Sequence, residues 1–82
     1  MLKARISITL KKTVSDPQGL TVKHALESLG YKGLADVRMG KLVIIRMNYT
    51  DKKSAERRVS QMCKKLLANP IIEDYFFKIE ED

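Results

Sequence analysis

Chemistry in a chain of 82 residues must come from few side chains, and here they are scattered. There is one histidine, His24, and one cysteine, Cys63. A nucleophilic site needs a nucleophile, a base and an orienting group that converge on one pocket. His24 falls on the polar side of a helical pattern and reads as a surface histidine. Cys63 belongs to an apolar helical stripe and reads as a buried, inert thiol. Asp16, Glu27, Asp36, Asp51 and Glu56 show no spacing that would pair two carboxylates for acid–base work. Glu73 and Asp74 are adjacent and point to opposite sides of any strand that holds them. Glycines stand only at 19, 30, 33 and 40, in neither a P-loop nor a GxGxxG arrangement. One Cys and one His exclude both a zinc cluster and a disulfide framework. The expectation is a chain with no catalytic group, no metal and no cofactor of its own.

Nucleic-acid binding is the competing chemistry, because the formal charge is +6. The charge is uneven. Residues 1–41 hold 8 basic and 3 acidic groups and residues 42–72 hold 7 and 2, whereas residues 73–82 hold 1 and 5. RNA-recognition sheets stack bases on aromatics of their central strands. The apolar run Leu42-Val43-Ile44-Ile45 has no aromatic, and Tyr75, Phe76 and Phe77 sit in an acidic neighbourhood. Gly30-Tyr31-Lys32-Gly33 has GXXG spacing, but the residues after it alternate as a strand rather than a helix. Lys53, Arg57 and Lys64 read as a solvated helix face.

The elements that must position these groups are legible from periodicity. Residues 3–11 alternate, with Ala4, Ile6, Ile8 and Leu10 on one side, which is a half-buried strand. Asp16-Pro17 reads as an N-cap followed by Pro at the first helical position. Val22, Ala25, Leu26 and Leu29 make that helix's apolar stripe, and Gly30 ends it in a left-handed cap. Gly19 weakens its first turn by about 1 kcal/mol relative to Ala. Leu20 lies on the wrong side of the helix and reads either as a lone surface leucine or as a partner contact. Residues 35–39 alternate again, Gly40-Lys41 looks like a tight connection, and residues 42–47 form a strand that is apolar on both faces. Thr50 or Asp51 caps a second helix with the stripe Ala55, Val59, Met62, Cys63 and Leu66, stopped by Asn69-Pro70. The chain closes on a strand in which Tyr75, Phe77 and Ile79 share one face and Phe76 takes the other.

The order βαββαβ predicts one domain over residues 1–82. It is an α+β, ferredoxin-like two-layer sandwich with an antiparallel sheet and two helices on one face. No run approaches the ~20 apolar residues of a membrane span, no signal-peptide core follows the N-terminus, and the unpaired cysteine fits a reducing cytoplasm. A domain this small has little core, and its second sheet face keeps apolar side chains. That face carries part of Val43, Ile45 and Met47, or else Leu42 and Ile44, together with Phe76 or its neighbours, and Val43, Ile45, Met47 and Phe76 are taken as the candidates for self-association with a second copy.

Several segments together resemble a known family. Leu10-Lys11-Lys12 leading through Val14 to Asp16-Pro17-Gln18-Gly19, then Leu29-Gly30-Tyr31 and Val37-Arg38-Met39-Gly40-Lys41, and above all Met62-Cys63-Lys64-Lys65-Leu66-Leu67-Ala68-Asn69-Pro70-Ile71-Ile72-Glu73-Asp74-Tyr75 follow the order and spacing of PurS. This is the small-subunit family of phosphoribosylformylglycinamidine synthase. The resemblance implies a cytoplasmic, homodimeric or homotetrameric adaptor in purine biosynthesis. It would bridge a synthetase subunit, which uses ATP, and a glutaminase subunit, which releases ammonia, and would bind no cofactor itself. The apolar Leu42-Val43-Ile44-Ile45 departs from the family, which usually carries a Glu soon after the Gly-Lys pair. The candidate partner contacts are Asp16, Pro17, Gln18, Gly19 and Leu20 at the helix start, and Arg38, Gly40 and Lys41 at the expected hairpin tip. At each place capping or turn chemistry alone is the competing role. A ferredoxin-like RNA-binding domain and an oligomerising regulatory module are the alternatives.

Overall fold

The alternation of residues 2–10 decides the architecture. In the computed structural model, which describes residues 1–81, Leu2–Leu10 forms the central strand β1, flanked by β2 (Gly40–Met47) and β3 (Glu73–Glu81). Both neighbours pair with it antiparallel, so the sheet order is β2-β1-β3. Leu2, Ala4, Ile6 and Ile8 point to one face, as period two requires, and all four are buried. Ala4 pairs with Ile45 and Ile79, and Ile6 with Val43 and Phe77. These partners therefore extend the same apolar face across all three strands.

One helix covers that face. Asp51 caps α2 (Lys52–Met62), accepting from the Lys53 N–H at 3.2 Å and from the Ser54 hydroxyl at 2.9 Å. Ala55, Val59 and Cys63 then reach the core over β1 and β3. The helix runs on as one π-turn, Cys63–Leu67, closed by Ala68 N–H to Cys63 C=O at 3.0 Å. Such a turn contains one residue more than an α-turn. It is therefore Leu67 that packs against the core, while Leu66, expected in the stripe, turns out to 84 % exposure.

The other helix, α1 (Pro17–Ser28), starts and stops as its sequence dictates. Asp16 is the N-cap and Pro17 the first residue. Gly30 has φ +98°, its N–H bonds Glu27 C=O at 3.0 Å, and the Tyr31 N–H reaches back to Leu26 C=O at 3.2 Å, a Schellman closure. Yet α1 buries only Gly19 and has no strand or helix packed along its length. Its stripe of Val22, Ala25, Leu26 and Leu29 stays at least partly open, with Leu29 75 % exposed. The radius of gyration is 16.1 Å, and the extents are 48 × 27 × 15 Å. A compact chain of this length has a radius of about 12 Å.

The antiparallel α+β sandwich of ferredoxin-like type stands, with βαβαβ in place of βαββαβ. The expected strand at 35–39 does not form, and Gly40-Lys41 is not a hairpin turn but the start of β2, where Gly40 pairs with Thr9. The reason is that hydrogen bonds to the β1–α1 connection and to the helix cap hold this segment away from the sheet. The Met39 N–H bonds the Asp16 carboxylate, and the Arg38 guanidinium bonds two carbonyls of the β1–α1 connection.

Candidate functional site

Asp16 is the centre of a junction at one end of the sheet. Its Oδ1 accepts from the Gly19 N–H at 3.0 Å and its Oδ2 from the Met39 N–H at 2.7 Å. Only 8 % of the residue is exposed. Those bonds, the Met39 N–H first and the Gly19 N–H second, hold its carboxyl below the ordinary carboxylate range, and the Arg38 charge acts in the same direction. Arg38 spans the same gap from the other side, donating from Nη2 to Lys11 C=O at 2.7 Å and to Val14 C=O at 2.8 Å. With both oxygens engaged by backbone N–H groups, Asp16 works as a structural acceptor.

Gly19 makes the closure possible. A Cβ there would lie 2.1 Å from Val37 C=O oxygen and 2.9 Å from Asp16 Oδ2. The residue that sequence reasoning marks as a weak point of the helix is therefore the one that admits the 36–39 segment. The only sequence signal was a glycine inside a capped first turn.

All eight residues expected at a partner surface gather here. Leu20 shares a shallow cleft with Asp16, Lys23, Asp36 and Arg38. Pro17 and Gln18 border Thr21, Val22 and Met39. Gly40 and Lys41 close a concavity with Asp16, Gln18 and Ile8. Asp16 and Gly19 are buried, whereas Pro17, Gln18, Leu20, Gly40 and Lys41 are exposed. Glu73, not expected there, adds to the rim. Glu73 lies 3.6 Å from the Lys41 ammonium, and its other oxygen accepts from the Asn69 N–H at 2.7 Å. The bond at Asn69 connects the junction to the helix stop.

The four residues expected to form one self-association surface divide between the two faces of the sheet. Val43, Ile45 and Met47 lie on the helix side, where Met47 is core. Phe76, 70 % exposed, lies on the other side, and Ser7 pairs with both Phe76 and Leu42. Register decides this: the pairing of Leu2 with Met47 sends the odd-numbered side chains of β2 inward. The outer apolar patch is Leu42, Ile44 and Phe76, all exposed.

The acidic end of the chain folds onto basic partners. Arg5 meets Glu80 at 3.8 Å and Lys11 meets Asp74 at 2.9 Å. His24 is exposed, and Cys63 is fully buried with its thiol pushed up by desolvation. Among the described residues there is no group of three or more His, Cys, Asp or Glu that could hold a metal ion, and no helix is long and apolar enough to cross a membrane.

Comparison with known proteins gives this arrangement its relatives. The family described as PurS, phosphoribosylformylglycinamidine (FGAM) synthase, matches residues 3–81. The chain belongs to the PurS family. It is 43 % identical to the phosphoribosylformylglycinamidine synthase subunit PurS of Bacillus subtilis, over 99 % of this chain and 95 % of that one. The PurS subunit of Methanocaldococcus jannaschii is 42 % identical over 99 % and 98 %. Solved PurS structures agree: that of M. jannaschii, one of the subunits of formylglycinamide ribonucleotide amidotransferase in the purine biosynthetic pathway, has a TM-score of 0.88 at 41 % identity, covering 100 % of this chain and 99 % of that one. A chain of PurLQS from Thermotoga maritima has a TM-score of 0.86 at 26 % identity, covering 96 % of each. As a PurS chain, the protein is a subunit-type component of FGAM synthase in purine biosynthesis.

Proposed function

We propose that the chain is a non-catalytic adaptor subunit of the synthase. It holds a synthetase subunit and a glutaminase subunit in register for the glutamine-dependent amidation of formylglycinamide ribonucleotide. The observation that carries the reading is the match to a chain of T. maritima PurLQS over 96 % of both chains. ATP and glutamine are then handled by the catalytic subunits, and this chain binds no cofactor. Its contribution is geometric. Ammonia released at one site must reach the next before it is protonated or lost, and a rigid small subunit raises effective concentration and excludes water without touching a bond.

The surfaces on this chain are suited to that work. The junction fixes the exposed Pro17, Gln18, Leu20, Gly40 and Lys41 relative to the sheet, which is what a docking surface for a catalytic subunit requires. The chain also self-associates as a homodimer or homotetramer. Leu42, Ile44 and Phe76 on one face, and Leu29 and Leu66 elsewhere, are more exposed apolar surface than a solitary small domain usually keeps.

Mixing purified chain with the two catalytic subunits and separating by size tests the reading. Co-elution of all three supports it. Two catalytic subunits that assemble fully without this chain, or a chain that elutes alone from the mixture, contradict it.

A further inference from the structure

Nearly all the net charge of the chain sits on one helix. Residues 52–67, which form α2 and its π-turn, hold six basic residues and one acid, a balance of +5. The chain has 16 basic and 10 acidic residues, so the remainder holds 10 and 9, a balance of +1. Elsewhere opposite charges meet: Arg5 faces Glu80, Lys11 bonds Asp74 and Lys41 lies beside Glu73. On α2 they do not. Arg58 lies over the Tyr49 ring at 5.1 Å, and Arg57 acts on the capping Asp51 carboxylate. Among the described residues, Lys52, Lys53 and Lys64 form no ion pair. Ala55, Val59 and Cys63 turn inward, so helical spacing puts Lys53, Arg57 and Lys64 on the outward side, where all three are exposed.

The helix itself gains nothing from this arrangement. Lys52 and Lys53 stand in a first turn that has no acid, where positive charge opposes the helix dipole. Lys53 and Arg57 are one turn apart and repel each other. The Asp51 cap and the three inward side chains suffice to form the helix. Charge that works against its own element, with no compensation inside the chain, marks a surface that answers to something outside it.

We infer that the outward face of α2 docks on a carboxylate-rich surface of one catalytic subunit. The inference rests on the adaptor reading above and supplies its second surface. A chain that joins two partners needs two such surfaces, and the junction provides only one. The two are set apart. The junction lies where Gly40 pairs with Thr9, whereas α2 follows Met47, which pairs with Leu2 at the other end of the sheet. A protein surface fits this face better than a polynucleotide does. Residues 52–67 include no aromatic on which a base could stack, and four of their six cations are lysines rather than the guanidinium that suits phosphate best. Exposed charges of this kind steer the encounter more than they hold the complex, so their effect falls on the association rate and on its response to salt.

Association of the chain with each catalytic subunit, followed at about 50 mM and about 300 mM salt, tests this. The expected result is that the rate with one of the two subunits falls about tenfold over that range. Lys53→Glu combined with Lys64→Glu is expected to slow the same association about tenfold at low salt and to flatten its salt dependence. Lys53→Arg combined with Lys64→Arg is expected to keep both. Lys53→Glu alone separates docking from folding. It places an acid in the first turn, four residues before Arg57, so it is expected to raise the thermal midpoint of the chain while it slows association. Association with both subunits that ignores salt, or that the double charge reversal leaves unchanged, overturns the inference and leaves the adaptor reading standing. A chain that binds neither subunit overturns both. A single-stranded oligonucleotide of mixed sequence that binds the wild type more tightly than either subunit does at the higher salt, and no longer binds the double charge reversal, overturns it in favour of nucleic acid.

Discussion

Asp16 and Met39 are 23 residues apart in sequence and 2.7 Å apart across a hydrogen bond from the Met39 amide to the Asp16 carboxylate. This bond converts two segments, each readable alone as a cap or a turn, into one rigid corner between β1, α1 and β2. The exposed residues around it are held at fixed positions because Asp16 is satisfied twice and Arg38 twice. A docking surface is worth most when it needs no ordering on contact.

The corner is sensitive to acid. The Asp16 carboxyl is lowered by the Met39 N–H, then the Gly19 N–H, and the stability this gives is present in full above the unfolded carboxyl's value of about 3.9. It is lost as pH falls through the lower folded value. Asp51 is lowered too, chiefly by the Ser54 hydroxyl and then by the Lys53 N–H. Thermal unfolding of the wild type should therefore be insensitive to these groups near neutrality and weaken in the acid range. Asp16→Asn should weaken the protein near neutrality and flatten that acid dependence. A variant with the wild-type acid profile would contradict the assignment.

Gly19→Ala separates helix propensity from packing. Alanine favours a helix by about 1 kcal/mol, so a surface helix would be stabilised. Here the added Cβ falls 2.1 Å from the Val37 carbonyl oxygen. The expected outcome is destabilisation of about 1–3 kcal/mol in urea unfolding, with weaker retention of the catalytic subunits.

Arg38→Ala removes the donor to Lys11 and Val14 carbonyls. Hydrogen bonds to a charged group contribute about 1.5–3 kcal/mol, and a loss of about 2 kcal/mol is expected. Hydrogen exchange should rise first in residues 36–39, before the β1 amides. Equal loosening of all three strands would show that Arg38 does not act locally.

Cys63 should resist alkylation in the native protein, because it is fully buried and its thiol is pushed up by desolvation. Labelling is expected only at the rate at which the core opens. Ile6→Ala, which hollows the same core, should cost about 2–5 kcal/mol and speed that labelling. Rapid labelling of the untreated wild type would contradict the packing described.

Much of this was legible in the sequence. The alternation of β1, the caps Asp16 and Asp51, the left-handed Gly30 and the inward trio Tyr75, Phe77 and Ile79 are local signals, and each appears where periodicity puts it. The expected contact residues fall in two groups, at the helix start and around residues 38–41, and the Asp16–Met39 bond brings the two groups together. What failed was non-local or degenerate. Residues 35–39 alternate, yet bonds to Asp16 and from Arg38 occupy them. Residues 42–47 are apolar on both faces, so only pairing with β1 could orient them. The π-turn exchanges Leu66 for Leu67 with no mark in composition. The uncovered α1 stripe looks in sequence like any core-facing helix, because an amphipathic pattern states that a face is to be buried but not against which chain.

The adaptor claim is tested most directly by measuring amidation of formylglycinamide ribonucleotide by the two catalytic subunits with glutamine and, separately, with free ammonium, each with and without this chain. The account expects the glutamine reaction to depend on the chain and the ammonium reaction to proceed largely without it. Glutamine-dependent turnover that is undiminished when the chain is left out would contradict it.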